Sequence, residues 1–451
     1  MVIVKHHDIF LPILSLSLLS RSIPVCRLRS SFEAEVPGSK SLTNRALIAA
    51  ALCSTSVTLL GALSSEDTEV ASEALRSLGV KIKTQGNTWV VDASAFSSEG
   101  LTKELYLANA GTAVRFMSAV LCAKGVECKI TGSERMHERP IELMLQGLRD
   151  LGGSITAQHN NGCPPLKIGR GGLKGGSTAL SGQVSSQYFS GLMMAAPLAL
   201  SSVNIRVTDE WLSFPYIEMT ARLLQDFGVQ VKLSKEGSIV IEAPQRYISP
   251  GIYRIEPDAT AATYPLALGV LHGVGVKVLG LTLDSLQGDV DFAKVVERMG
   301  CQLQCDAQGI QLSRKGPLQA IDANLNPIPD AAMTVAVLCS VAQGRSHLTG
   351  LKNLAYKECD RLTALANELN KLGCRVEAHS DGFNIEGVPV ECLKGATIAT
   401  YRDHRMAMCM SLLGTLVEGV VINDPHCVEK TYPCYWDDLS TWLEKGAACS
   451  L

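Results

Sequence analysis

One hydrophobic pattern recurs along this chain: an amphipathic segment with apolar residues at helical spacing, then a glycine, then a short alternation of apolar and polar residues. It appears in EALRSLGVKI, LQGLRDLGGSI, RLLQDFGVQV, VVERMGCQL and NELNKLGCRV, and more weakly in STWLEKGA. The glycines are Gly79, Gly152, Gly228, Gly300, Gly373 and Gly446, spaced by 73, 76, 72, 73 and 73 residues. A glycine just past the last helical residue closes a helix in the left-handed conformation, and the alternation after it reads as a half-buried strand. So regular a spacing signals repeated supersecondary units. Six of them, spread over 451 residues, exceed one hydrophobic core. Three units per domain is the economical partition, with the boundary near IEPDATAATYP, residues 255–265. A solenoid is the competing architecture, but these units carry different polar insertions rather than a shared surface motif.

The insertions share a logic. PGSKSLTNRAL places Lys40, Ser41 and Arg45 at the start of an apolar helix, and LANAGTAVRFMSAV does so with Asn109, Gly111, Thr112 and Arg115. SGQVSSQYFSGLMMAAPLAL contributes Ser185, Ser186 and Gln187, PIPDAAMTVAVL contributes Asp330, and YRDHRMAMCMSLL contributes Asp403, His404 and Arg405. A helix start offers free backbone N–H groups and a partial positive charge, so it suits anions. Ser, Thr, Asp and Asn are also simply good caps, and capping alone accounts for SSQ. The cations are harder to dismiss. The helix dipole disfavours Lys and Arg in the first turns, yet Lys40, Arg45, Arg115 and Arg405 all fall there. A bound anion explains that tolerance. SERMHERPIE adds Arg135 and Arg139, NLAYKECDRLTAL adds Lys357, Glu358, Asp360 and Arg361, and DPHCVEKTYP adds Lys430. Read alone, KECDR fits equally well as a surface helix laced by i,i+4 ion pairs.

Composition narrows the ligand. Hydrophobic residues are 46%, charged residues 19% and the net charge −3, an ordinary globular profile with no broad basic face for nucleic acid. A local basic cluster then points to a small acidic ligand. No apolar run reaches the length a bilayer needs. The start of the chain carries IFLPILSLSLL, which imitates the apolar core of a secretion signal. Asp8 and Pro12 weaken that reading, and no A-x-A site follows. The 15 cysteines are scattered with no CxxC pair, so they read as small buried hydrophobes in a reducing, cytoplasmic compartment rather than as metal ligands. GSKS lacks the rest of GxxxxGK[ST], and neither GxSxG nor HExxH occurs, which disfavours a P-loop kinase, an α/β hydrolase and a zinc protease.

Taken in order, PGSKSLTNRAL, NAGTAVR, ERPI, SSQY, PYIEMT, SLQGDV, PDAAMT, KECDRL, DHRMAM and KTYP resemble the 5-enolpyruvylshikimate-3-phosphate synthase family over about residues 24–445. The resemblance implies an α/β (α+β) fold, a two-domain inverse α/β barrel-like arrangement of six βαβαββ repeats, three per domain. It also implies the divisions 1–21 as an N-terminal extension, 22–37 plus 257–451 as the C-terminal domain and 38–256 as the N-terminal domain, with the active site in the cleft. The implied reaction moves the enolpyruvyl group of phosphoenolpyruvate to the 5-hydroxyl of shikimate 3-phosphate and releases phosphate, with no metal or organic cofactor, in a monomer that binds neither nucleic acid nor membrane. Position by position, Lys40, Ser41, Arg45, Ser185, Ser186, Gln187, Ser213, Tyr216, Asp330, Asn353 and Lys357 resemble the shikimate-3-phosphate ligands. Lys40, Asn109, Gly111, Thr112, Arg115, Arg139, Gln187, Arg361, His404, Arg405 and Lys430 resemble the phosphoenolpyruvate ligands. Asp330 takes the place of the base for the 5-hydroxyl, and Glu358 that of the acid/base at the methylene carbon, with Lys357 and Lys40 beside them.

Four features depart from the family pattern: Phe116 after Arg115, His137 before ERP, Arg402 before DHR, and Val428-Glu429 before Lys430. Glu429 raises the prospect of a weaker local anion field, and Phe116 that of a reshaped phosphoenolpyruvate wall. Gly111 leaves the space that the inhibitor glyphosate uses in sensitive members. Two alternatives stand beside this reading. A UDP-N-acetylglucosamine enolpyruvyl transferase would share the fold and donor, but it typically places a Cys on the loop that here reads ERMHERP. A noncatalytic repeat-type interaction protein would not need Asp330 and Glu358 among so many cations.

Overall fold

The computed structural model describes residues 19–96 and 103–447. The apolar stretch near the start of the chain lies almost wholly outside the described residues. The apolar side chains gather into two clusters. One contains Ile23 to Ala34 together with Ala259 to Leu443, and the other runs from Leu42 to Ile255.

Each unit places an outer strand parallel to a second strand, which pairs antiparallel with a hairpin. In the second unit Lys103–Tyr106 runs parallel to Cys128–Thr131, which pairs with Leu166–Ile168 and through it with Ile155–Ala157. The third and fifth units repeat that order with segments from their own stretch of chain. The first and fourth units borrow a strand. Ile252–Arg254 is the parallel partner of Val57–Leu60, and Phe32–Ala34 is the parallel partner of Val276–Leu279. The chain therefore crosses between the clusters twice, and the crossings touch where Gly38 bridges Pro257.

The sixth unit corrects the sequence pattern. The first five repeat glycines do sit at positive φ, from 77° to 96°, and a strand follows each. Gly446 instead lies within the Tyr435–Ala447 helix, where its carbonyl accepts from Arg29 and Ser30 and a Cβ would meet Leu28 at 2.8 Å. It is small because the N-terminal segment packs onto it. The missing hairpin is replaced by Ser20–Ser22, paired antiparallel with Val421–Asn423. Ser20 and Arg21, assigned above to the extension, thus belong to the sheet, because their backbone groups pair with Asn423 and Ile422.

The first helix of every unit is buried nearly all round. Lys40–Ala50, Gly111–Lys124 and Ser186–Ala195 fill one core, and Ala259–His272, Ala332–Cys339 and His404–Gly414 fill the other. Burial of both flanks leaves the ends of these helices as the places where polar chemistry can reach solvent. The polar insertions noted above sit at such N-termini, and those of both halves meet in one cleft.

Candidate active site

Ser39 caps the Lys40–Ala50 helix by accepting from the Leu42 amide at 3.4 Å, which makes Lys40 its first residue. Ser185 caps the Ser186–Ala195 helix through Gln187 N, and Asp403 caps His404–Gly414 through Arg405 N at 2.9 Å. Ser185 is therefore both a cap and part of the cavity wall; the two readings of SSQ do not compete. KECDR is not a laced helix. The Arg361–Lys371 helix begins only at Arg361, capped by Asp360, and Lys357 and Glu358 lie in the link before it. Lys357 and Arg361 meet not as helix neighbours but at Asp330, each 3.1 Å from its Oδ1.

Two of the adjoining cavities in the cleft carry the predicted residues. The larger of the two, about 710 Å³ with the space at its open mouth counted, is lined by Lys40, Ser41, Arg45, Ser185, Ser186, Gln187, Ser213, Tyr216, Asp330, Asn353 and Lys357, with Thr112, Arg115 and Arg139. The smaller, about 310 Å³, is lined by Lys40, Gly111, Thr112, Arg139, Gln187, Arg361, His404 and Arg405, with Asp67, Asp330, Lys357 and Glu358. All eleven residues of the first predicted set thus meet in one cavity, and eight of the second set in its neighbour. Three of the second set stand apart. Arg115 lines the larger cavity, while Asn109 and Lys430 face a separate open recess. Asn109 still supports the wall, since its side-chain and backbone oxygens accept from Arg139 Nη1 at 3.0 and 3.1 Å.

The walls differ electrically. On the C-terminal side charges are compensated. Arg361 donates to Asp403 at 2.7 and 3.2 Å, to Glu358 at 2.9 Å and to Asp330 at 3.1 Å, and Arg405 Nη2 reaches Asp330 Oδ2 at 3.1 Å. Burial pushes the Asp330 carboxyl up, but Arg405, Lys357, Arg361 and Lys40 more than reverse this and hold it well below the usual carboxylate range. Glu358 is likewise raised by burial and overridden by Arg361, Arg139 and Lys430. Burial, reinforced by Arg405, keeps His404 well below its ordinary value, so its ring is neutral.

On the N-terminal side three buried arginines are not compensated. Arg45 is 1% exposed and donates to Thr220 Oγ1, Ser41 O, Ser190 Oγ and Tyr216 O, all neutral. Burial lowers its pKa to about 9. Arg115 donates to the carbonyls of Gly111 and Pro140, and Arg139 to Asn109. Each is 5% exposed, and its Nε has no partner. Among the described residues none of the three has a carboxylate within ion-pair distance. Burying an unpaired charge is costly by several kcal/mol, so the site is built for ligands that bring the negative charge.

Three of the four departures from pattern resolve locally. Phe116 is fully buried with its ring 4.8 Å from the Arg45 guanidinium carbon; it supports Arg45 and does not line either cavity. His137 bonds Thr131 Oγ1 at 3.0 Å. Glu429 turns outward to His426 at 3.1 Å, leaving Lys430 to Asp67 and Asn109 O.

Two residues escaped the sequence reading, and a third does more than its helix start implies. Asp67, 2% exposed, pairs with both Lys40 and Lys430. Asp403 was noted only at a helix start, yet it is also the main partner of Arg361. Asp289, 3% exposed, accepts from Tyr216 OH at 2.6 Å. Asp67 sits in the acidic first turn of Glu66–Ser77, where carboxylates are ordinary. No local signal could have marked it.

A cleft between two three-unit halves, with adjoining anion cavities sharing Lys40, Asp330 and Lys357, defines a two-substrate transferase that joins small anionic molecules. The comparisons carry this to a family. The family model for EPSP synthase (3-phosphoshikimate 1-carboxyvinyltransferase) matches residues 27–439. The 3-phosphoshikimate 1-carboxyvinyltransferase of Shewanella halifaxensis is 41% identical over 90% of this chain and 95% of its own, and that of Actinobacillus pleuropneumoniae serotype 5b is 41% identical over 94% and 98%. An EPSP synthase structure from Acinetobacter baumannii superposes with a TM-score of 0.76 at 22% identity, over 94% of this chain and 97% of that one. The chain belongs to the EPSP synthase family, and its fold is the two-domain inverse α/β fold.

Proposed function

We propose that this cleft transfers the enolpyruvyl group of phosphoenolpyruvate to the 5-hydroxyl of shikimate 3-phosphate, releasing phosphate, between the domains 20–37 plus 257–451 and 38–256. The observation that carries the reading is the trio Arg45, Arg115 and Arg139, buried without carboxylate partners. Each substrate brings a phosphate and a carboxylate, and four anionic groups held close together need such cations. Shikimate 3-phosphate occupies the larger cavity, with its carboxylate toward Ser41 and Arg45, and phosphoenolpyruvate the smaller. Lys40 lines both and touches each.

In this reading Asp330 takes the 5-hydroxyl proton as the oxygen bonds to the central carbon of phosphoenolpyruvate. Glu358, with Lys357 assisting, delivers a proton to the methylene carbon. The tetrahedral adduct then loses phosphate, which takes up the proton Asp330 accepted, as Glu358 takes a proton back from the same carbon and the double bond is restored. The empty cleft poses a difficulty for this scheme: the surrounding cations leave Glu358 without a proton to deliver and make the Asp330 carboxylate a weak base. Binding answers it. The substrate anions engage those cations, weaken their hold on the two carboxylates and raise both toward the range where proton transfer is efficient.

The cleft is completed by one chain, which supports a monomer, and the fourteen described cysteines are all free, which supports the reducing cytoplasm. No helix among the described residues is long and apolar enough to cross a membrane. Sedimentation should give a mass near 48.2 kDa; twice that refutes the monomer. The test of function is phosphate release from phosphoenolpyruvate with either acceptor. Release with shikimate 3-phosphate is expected; release only with UDP-N-acetylglucosamine, or with neither, sinks the proposal.

A further inference from the structure

We propose that Arg135 is a positioning residue that fixes Lys357 and Glu358 from the opposite wall of the cleft, so that the two groups reach their working places only when the walls are together. The inference rests on the roles given above to Lys357 and Glu358.

Arg135 opens the short Arg135–Glu138 turn on the N-terminal side. Its guanidinium spans the cleft. Nε donates to the carbonyl of Glu358 at 3.2 Å and Nη2 to the carbonyl of Lys357 at 3.1 Å. The third nitrogen, Nη1, is tied to Glu138 Oε2 at 2.8 Å, which orients the fork. The two carbonyls need this donor. They lie in the link between the Lys352–Tyr356 turn and the Arg361–Lys371 helix, outside either element. Among the described residues Arg135 alone donates to them.

The fork is anchored at its own end. Met136 is 1% exposed, Ser133 N donates to Ala108 O at 2.9 Å, and His137 is held by Thr131. The turn is therefore anchored in its own domain, and Arg135 reaches the link from there. Glu358 is then held twice, by Arg361 at its carboxylate from its own domain and by Arg135 at its carbonyl from the other. A planar guanidinium can bridge two successive carbonyls; a lysine ammonium lacks that fork. Since about 1 Å of misplacement can cost on the order of 10²-fold in rate, a grip on the backbone of the proton donor couples closure of the cleft to the chemical step.

The experiment compares Arg135→Lys, Arg135→Gln, Arg135→Ala and Glu358→Gln in the full chain. It reads kcat for phosphate release, the Kd for shikimate 3-phosphate alone, and Tm. Arg135 is 36% exposed, so these variants should fold. The expected result for Arg135→Lys and Arg135→Gln is a fall in kcat of roughly 10- to 100-fold, as for a small misplacement of the donor. The Kd should stay within about threefold, Tm should be unchanged, and added guanidinium should partly restore Arg135→Ala but not Glu358→Gln. The proposal is overturned by wild-type kcat in Arg135→Lys, by no guanidinium rescue, or by a kcat loss that tracks lost affinity or lowered Tm. An inactive Glu358→Gln beside a fully active Arg135→Lys refutes only this inference. A fully active Glu358→Gln removes the role of Glu358 and the inference with it.

Discussion

Replacing Asp330 by Asn separates two things this carboxylate does. The amide keeps the shape and an acceptor oxygen but removes the charge that faces Lys357, Arg361 and Arg405, each at 3.1 Å. The first consequence is loss of the base. General-base catalysis contributes about 10²- to 10⁴-fold, so kcat should fall by that much, or roughly 3–5 kcal/mol of barrier. The second consequence runs the other way. Three cations lose their shared counter-ion and become free to hold a ligand. A bound phosphate roughly 8 Å from the lost charge, at an effective dielectric constant of about 20, is relieved of about 2 kcal/mol of repulsion. Anion affinity should therefore rise by roughly 10- to 30-fold at low salt and less at high salt. Single-turnover phosphate release gives the first number, and calorimetric titration of inorganic phosphate gives the second. The reasoning is refuted if kcat falls less than about tenfold, or if phosphate binding weakens along with kcat. The latter would mean that Asp330→Asn collapses the cation cluster instead of unloading it.

Two further outcomes follow from single contacts. A Cβ on Gly111 would sit 2.6 Å from Arg115 Nη1 and 2.8 Å from Arg139 Nη2, so Gly111→Ala should raise KM for phosphoenolpyruvate about tenfold or more with kcat less affected. Glyphosate should inhibit the unaltered protein in competition with phosphoenolpyruvate and the variant much less; steady-state inhibition patterns decide, and equal sensitivity refutes it. Burial, joined by the charge of Asp330, raises Asp289 to about 7. A carboxyl raised in the folded state stabilises it when protonated, and that contribution is lost as pH rises from the unfolded value near 4 through about 7. The Tm of Asp289→Asn, which keeps an acceptor for Tyr216, should therefore gain on the wild type between pH 5 and pH 7 and hold level above pH 7.5; parallel melting curves across that range would refute the assignment.

Much of the fold was legible because its signals are local. Five glycines read as helix caps have positive φ, and Ser39, Ser185 and Asp403 cap the helices that carry the chemistry. What was not legible is long-range. Phe32–Ala34 and Ile252–Arg254 are three residues each, too short to show alternation, and each pairs with a strand about two hundred residues away,. Gly446 looked like a sixth cap because glycine also answers a packing need, here the approach of Leu28. KECDR kept its helix reading because i,i+4 charges are common on helices; only Asp330, brought in from another unit, reveals why Lys357 stands before the helix.

The division of charge across the cleft explains why the motifs look as they do. PGSKSLTNRAL, NAGTAVRF and SSQYF contain cations and hydroxyls but no acid, and they form the wall where Arg45 and Arg115 stay uncompensated. PDAAMT, KECDRL and DHRMAM carry acids as well as bases, and they form the wall where Asp330, Glu358, Arg361 and Arg405 bind one another. An anion receptor needs unpaired cations, whereas proton transfer needs carboxylates whose pKa values can be moved. Mixing the two on one wall would let the acids fill the receptor. Asp67 shows the danger, since from the receptor side it already takes Lys40 and Lys430, and a substrate anion must compete with it for Lys40. Keeping Arg45, Arg115 and Arg139 on the wall away from Asp330 and Glu358 leaves those three cations available, and it makes the joining of the walls the step at which substrate charge can reset Asp330 and Glu358.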